Sequence, residues 1–237
     1  MGTKIHLPDV TLLTVTSVDI EETHATLLYC TRHIEFGAVK MLSPTRPRLP
    51  VQRVEYVEIQ PLDFVGYNRF MIENLNEYVA TGHCLVVQND GFVLNPGLWQ
   101  DRFTQYDYIG APWTDSVAIN PGNRRLVLDR NSVGNGGFSL RSKKLLETTS
   151  RLKFDLLDFP VAEDLLVCHY LYDEMRDAGI AFAPPHVAAQ FSAETMPPQY
   201  GQTLANVFGF HGKHLLRDAY RANPLLFAKI GRAKLRA

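Results

Sequence analysis

No stretch of this 237-residue chain approaches the roughly 20 uninterrupted apolar residues of a membrane-spanning helix, so no such helix is expected. The opening segment, Met1-Gly2-Thr3-Lys4-Ile5-His6, lacks the apolar run of a secretory signal. Cysteine is scarce and odd in number. Cys30, Cys84 and Cys168 each lie in an apolar segment, and no C-x-x-C pair exists. That pattern fits buried free thiols in a reducing cytoplasm and argues against a cysteine zinc site. Neither sign of charge dominates: 24 Lys plus Arg oppose 25 Asp plus Glu, for a formal net charge of −1. Nucleic acid is therefore not expected as a partner. The lack of G-x-S-x-G makes a hydrolase triad unattractive. No G-x-G-x-x-G follows the first β-like run, which weakens a dinucleotide oxidoreductase.

What is present supports a full core. Hydrophobic residues make up 46% and charged residues 21%, and the length suits one domain, alone or with a small appendage. β-branched residues at 9–18 read as a first buried strand, 20–34 as a helix with Ile20, Leu27, Leu28 and Ile34 on one side, and 38–43 as a second strand. Pro44, Pro47 and Pro50 mark a loop, and the alternation over 53–60 reads as a third strand. A helix begins near Asn68, keeps Phe70, Met71, Leu75, Tyr78 and Val79 on a 3.6-residue period, and ends at Gly82. The strand 84–90 follows, completing the succession of a nucleotide-binding α/β half. Beyond it the residues predict a short helix over 99–103, a hairpin over 114–130 turning at 120–123, and a strand through 137–140. Helices over 142–152 and 161–178, a strand at 180–183 and mostly loop over 184–212 come next. From Lys213 to Ala237 seven Lys or Arg face one acid, Asp218, in a helical tail broken at Pro224.

Chemistry concentrates at a few places, each with a plain reading beside a functional one. Cys84-Leu85-Val86-Val87-Gln88-Asn89-Asp90 is an apolar strand ending on a lone carboxylate, and ligands of parallel sheets gather outside the strands' carboxyl ends. Asp90 either caps a turn or holds Mg2+ or Mn2+, which needs only one or two protein carboxylates when phosphate and water complete its shell. Gly134-Asn135-Gly136-Gly137 is either a tight turn or a floor on which a sugar lies close to the backbone. It is not a P-loop, since G-K-[ST] is absent. Glu163 and Asp164 either oppose a helix dipole or supply a base for a hydroxyl, provided burial offsets the basicity lost to that dipole. His211, in F-G-F-H-G (208–212), is a surface histidine or a metal or phosphate ligand. Asn68 caps a helix, or with Arg69 meets phosphate or ribose at a helix start. Trp113 is a core aromatic or a stacking surface for a sugar.

Taken together, Q-N-D (88–90), D-Y-I-G-A-P-W (107–113), V-G-N-G-G-F-S-L-R-S (133–142) and A-E-D (162–164) resemble GT-A-fold glycosyltransferases over about residues 9–212. The nearest resemblance is to an uncharacterised bacterial glycosyltransferase-like family. It implies an α/β fold with a GT-A-like, Rossmann-type mixed and mainly parallel sheet flanked by helices. The domain would span 1–212 and the basic helical tail 213–237. The resemblance implies that Asp90 matches the metal-binding acid of a D-x-D element, with Mn2+ or Mg2+ as cofactor, although Gln88 replaces the first acid. It places Thr16, Asn68, Arg69, Asn89, Gly136 and Gly137 with Asp90 around a nucleotide diphosphate sugar, and Trp113 and Asn135 against the substrate. Asp164, beside Glu163, would be the catalytic base of an x-E-D motif, and His211 a C-terminal metal ligand. The implied reaction passes a sugar to a hydroxyl of a glycan or lipid-linked acceptor, with inversion, in bacterial surface glycan or glycolipid synthesis. The basic tail suggests peripheral contact with anionic membrane. A nucleotidyltransferase and a non-catalytic nucleotide-sugar or carbohydrate-binding protein stand as alternatives.

Overall fold

The structure, a computed structural model, describes residues 4–119, 124–152 and 161–222. Its first half runs β1 (Ile5–Val15), α1 (Ile20–Cys30), β2 (Ile34–Ser43), β3 (Glu55–Glu58), α2 (Phe64–Glu73) and β4 (His83–Val86). These strands pair in parallel in the order β3-β2-β1-β4. Alternate side chains of a strand point to opposite faces, and here both faces are apolar. Leu12, Met41 and Leu85 join Leu27 and Cys30 of α1 on one side. Leu13, Leu42 and Val86 join Phe70 and Met71 of α2 on the other. Burial on both faces is what makes such strands read as continuous apolar runs.

Single side chains decide where the elements end. The helix predicted to reach 34 stops at Cys30, where the Thr31 hydroxyl donates to the Leu28 carbonyl at 2.8 Å. The helix predicted from Asn68 starts four residues earlier, because the Asp63 carboxylate caps it by accepting the Gly66 N–H at 2.7 Å. It ends at Glu73 rather than at Gly82, which precedes β4 and donates its N–H to Asp9. The strand expected over 53–60 shrinks to Glu55–Glu58.

After β4 come β5 (Gly91–Val93), β6 (Tyr108–Ile109), β7 (Ala111–Pro112), β8 (Ser116–Ile119), β9 (Arg124–Val127), β10 (Val133–Gly134), β11 (Ser139–Ser142) and α3 (Lys143–Thr149). β11 pairs antiparallel with β4, and β6 lies beyond it, giving a six-stranded mixed sheet. β8 and β9 form the expected hairpin, whose turn at 120–123 lies outside the described residues. The short helix of 99–103 is a tight 3-10 turn at Asp101–Gln105. The amphipathic span 161–178 is interrupted: α4 (Glu163–Leu165) passes through a π-helical stretch, Leu166–Tyr170, into α5 (Tyr172–Asp177). Residues 180–183 contribute a single bridge, Tyr108 to Phe182, instead of a strand.

The largest departure lies in 184–212, expected to be loop. It holds α6 (Pro185–Phe191), β12 (Ser192–Ala193) and β13 (Gly209–His211). Pro185 occupies the first position of α6, where a missing N–H is harmless. β12, β13 and β5 make a small sheet over an aromatic cluster in which Phe191 packs on Phe103, Phe138 and Phe208 at centroid distances of 5.3, 5.1 and 5.7 Å. α7 (Lys213–Ala222) buries Leu215, Leu216 and Ala219 in the same core and exposes Lys213, Arg217 and Arg221. Pro224 lies outside the described residues.

Candidate functional site

From β1 the chain winds outward to β2 and β3, then returns to β4 on the other side of β1, so the strand order reverses between β1 and β4. Loops leaving such a reversal diverge and open a crevice at the carboxyl ends of the strands. A cavity of about 560 Å³ lies there. Thr16 reaches it from the end of β1, Asn68 from α2, and Asn89 and Asp90 from the end of β4. Gly136 and Gly137 enter from the loop before β11, Glu163 and Asp164 from α4, and His211 from β13.

His211 and Asp90, far apart in sequence, are joined by strand register. β13 pairs antiparallel with β5 so that His211 stands opposite Gly91, and the Gly212 N–H donates to the Asp90 carbonyl at 2.9 Å. The imidazole Nε2 faces Asp90 Oδ1 at 3.7 Å, and Nδ1 lies 3.0 Å from Glu194 Oε1. Burial alone would depress the His211 pKa. The hydrogen bond and charge of Glu194, with the charges of Asp90 and Asp164, outweigh it and hold the ring above its ordinary value. Gly137 must be glycine because a Cβ there would collide with the His211 ring.

Mn2+ or Mg2+ fits this donor set. A ligating imidazole commonly donates its second N–H to a carboxylate, and Nδ1 lies within hydrogen-bond distance of Glu194 Oε1. Among the described residues no group of three or more His, Cys, Asp or Glu is set to hold a metal ion. Asp90 and His211 would therefore hold such an ion only together with oxygens of a diphosphate and water, the arrangement usual for Mg2+. Gln88, in place of a first acid, instead donates from Nε2 to the Tyr67 hydroxyl at 2.8 Å.

The acid pair splits into two roles. Glu163 is only 3% exposed, and both its oxygens are taken by Arg141, at 3.0 and 2.7 Å. That carboxylate is engaged in a buried ion pair. Gly136 must lack a side chain, since a Cβ would collide with Glu163 Oε1. Asn68 accepts the Glu163 backbone N–H at 2.8 Å, so it caps α4 rather than its own helix. Asp164 Oδ2 accepts the Gly136 N–H and Oδ1 the Leu165 N–H, both at 2.8 Å. Burial, then the charges of Glu163 and Glu194, raise its pKa from 3.8 to about 6 against those two N–H groups.

Three expected contacts lie off the cavity wall. Arg69 is not among the lining residues. Trp113 is buried with its ring over Gly134, and its indole N–H donates to Glu194 Oε2 at 2.7 Å. Asn135 is fully buried at a left-handed φ of 84°, a conformation that Asn tolerates better than most residues. Its Oδ1 accepts the N–H groups of Gly137 and Phe138 at 3.1 and 3.2 Å, shaping the glycine loop from behind. Arg141 and Glu194 are the contributors that reading the sequence missed. Arg141 had a signal, being inside the quoted motif V-G-N-G-G-F-S-L-R-S; Glu194 had none.

Three solved structures show similarity to the chain. One is a glycosyltransferase involved in the glycosylation of the major capsid of PBCV-1, at 16% identity and a TM-score of 0.48 over 86% of this chain and 92% of that one. A second is a mannosyltransferase from Pyrobaculum calidifontis in complex with GDP-Man and Mn2+, at 11% and 0.47 over 96% and 75%. A third is the bifunctional IspDF from Campylobacter jejuni, at 10% and 0.45 over 63% of this chain, which spans 45% of that protein's length. No curated protein matches by sequence. Residues 53–211, from just before β3 through His211, match the family described as protein of unknown function (DUF5672), and the chain belongs to that family.

Proposed function

We propose that the chain is a glycosyltransferase that moves a sugar from a nucleotide diphosphate sugar onto a hydroxyl acceptor, with inversion. The observation carrying this reading is that Asp90, His211 and Asp164, from three distant stretches, meet on one cavity at the carboxyl end of the parallel strands. Asp90 and His211 take the diphosphate end. With Mn2+ or Mg2+ bound there, the ion supplies positive charge against the departing diphosphate. The bare backbone of Gly136 and Gly137 leaves room for the sugar. Thr16, Asn68 and Asn89 line the nucleotide side, and Phe64, 60% exposed at the lip beside Val18, offers an apolar surface to the base. Asp164 takes the acceptor proton, with a pKa of about 6 that suits a base working near neutrality.

Incubation with a panel of nucleotide sugars and Mn2+ is expected to release nucleoside diphosphate slowly, with water as acceptor. Asp90→Ala should cut that release about 10²-fold. Release of nucleoside monophosphate and sugar phosphate would instead assign attack at phosphorus, and binding without turnover a non-catalytic role; either result ends the glycosyltransferase reading.

The acceptor is a glycan or lipid-linked glycan of bacterial surface synthesis, met at the cytoplasmic face of the membrane. Among the described residues no helix is long and apolar enough to cross a membrane. The exposed Lys213, Arg217 and Arg221 of α7 support contact with anionic lipid, each basic side chain adding about 1 kcal/mol near such a surface. In flotation with phosphatidylglycerol vesicles, the wild type should rise with the lipid and Arg217→Glu/Arg221→Glu should stay behind. Equal flotation of both rejects the contact.

A further inference from the structure

Glu194 belongs to no sequence motif and does not line the cavity, yet both its carboxylate oxygens and its carbonyl are engaged. Oε2 accepts the Trp113 indole N–H at 2.7 Å, Oε1 lies 3.0 Å from His211 Nδ1, and its backbone carbonyl lies 3.1 Å from His214 Nε2. An indole nitrogen can only donate and an ionised carboxylate can only accept. Trp113 therefore fixes the rotation of the carboxylate, and the other oxygen demands a proton on Nδ1. In the neutral ring that leaves the lone pair on Nε2, the atom turned toward Asp90.

We propose that Glu194 is a positioning residue that sets the tautomer of His211, with Trp113 as its lock, so that Nε2 is kept as a donor atom toward a cation shared with Asp90. The cation's role rests on the transferase reading; control of the tautomer does not. Trp113 thereby acts on the site from beneath the glycine loop, without touching substrate.

The test uses amide chemistry. Glu194→Gln leaves one acceptor oxygen facing two donors. If that oxygen stays with Trp113, the new NH2 faces Nδ1, and the imidazole proton must move to Nε2, where it blocks the donor atom. Nitrogen NMR of the full chain with labelled histidine, at a pH alkaline enough to keep the ring neutral, reads the tautomer directly. Mn2+ titration followed by electron paramagnetic resonance, with nucleoside diphosphate present, reads the donor. The wild type should carry its proton on Nδ1. Glu194→Gln should carry it on Nε2 and bind Mn2+ about 10–100-fold more weakly. In Glu194→Gln/Trp113→Phe the competing donor is gone, the amide oxygen can turn to Nδ1, and both the tautomer and the affinity should return.

A wild type protonated on Nε2 overturns the proposal whether or not any variant folds. So does a Glu194→Gln protein that keeps the wild-type tautomer, or a double variant that fails to regain it. The expected switch from wild type to Glu194→Gln, with no uptake of Mn2+ by the wild type, supports the control by Glu194 and rejects the cation's part in the transferase reading.

Discussion

Asp164→Asn is expected to lower turnover by about 10²- to 10⁴-fold while raising the melting temperature at neutral pH. Both effects come from the same burial, which with the charges of Glu163 and Glu194 lifts the carboxyl from 3.8 to about 6. A raised pKa means that the folded chain holds this proton more tightly than the unfolded chain does. The resulting stabilisation is complete below the ordinary value and is lost as pH rises through about 6. Above that point the ionised group is a competent base and a strain on the fold. A neutral amide removes that charge but turns its NH2 toward one of the two backbone N–H groups, so the net recovery at neutral pH should be about 1 kcal/mol. The gain should vanish as pH falls toward about 4, where the wild-type group is neutral as well. Wild-type turnover should fall about tenfold per pH unit below about 6. Melting curves and initial rates of both proteins across this range check the claim, and a flat wild-type rate profile would remove Asp164 from the base role.

The largest effect on stability is expected from Arg141→Met, a loss of about 3–5 kcal/mol. Arg141 is 3% exposed, forks onto both Glu163 oxygens, donates from Nε to Ser139 Oγ at 3.0 Å and lies over the Tyr108 ring at 5.6 Å. Methionine fills similar volume but strands the Glu163 carboxylate in the interior, and an unpaired buried charge costs far more than the pair contributes. Arg141→Met/Glu163→Gln removes that charge and should recover more than half of the loss. Urea unfolding of the three proteins measures both steps. An Arg141→Met midpoint equal to that of the wild type would show that the pair does not hold the site. Because Arg141 Nη2 also reaches the Gly136 carbonyl at 3.3 Å, the single variant should loosen the glycine loop too, and donor affinity should fall with stability.

How much of this was legible beforehand followed from where the information sits. β1, β2 and β4 could be read because strands buried on both faces leave unbroken apolar runs. Their boundaries could not, since Thr31 and Asp63 end and start helices through single hydrogen bonds. α6 was hidden by Pro184-Pro185, which reads as a breaker along the sequence but serves as a first helical turn in space. β12 and β13 are two and three residues long, too short for any periodicity, and only their packing on the aromatic cluster defines them. The π-helical insertion at Leu166–Tyr170 leaves the apolar pattern of 161–178 nearly intact and so passed as ordinary helix.

The same division holds at the site. Asp90, Asp164 and His211 stood out by their local settings, a strand end, a helix start and a glycine-flanked loop. Glu194 and Arg141 act through partners 81 and 22 residues away, and nothing in their immediate neighbours announces it. Trp113 and Asn135 lie against the inner side of the glycine loop, off the cavity wall.

The pairing that sets His211 opposite Gly91 has a consequence for biosynthesis. A growing polypeptide that has emerged from the ribosome only as far as Phe208 carries the glycine loop, the acid pair and Asp90, but not the imidazole beside it. Side chains alternate along a strand, so a slip of one residue in β13 would also turn His211 to the opposite face. The arrangement around Asp90 is thus complete only once β13 has paired with β5.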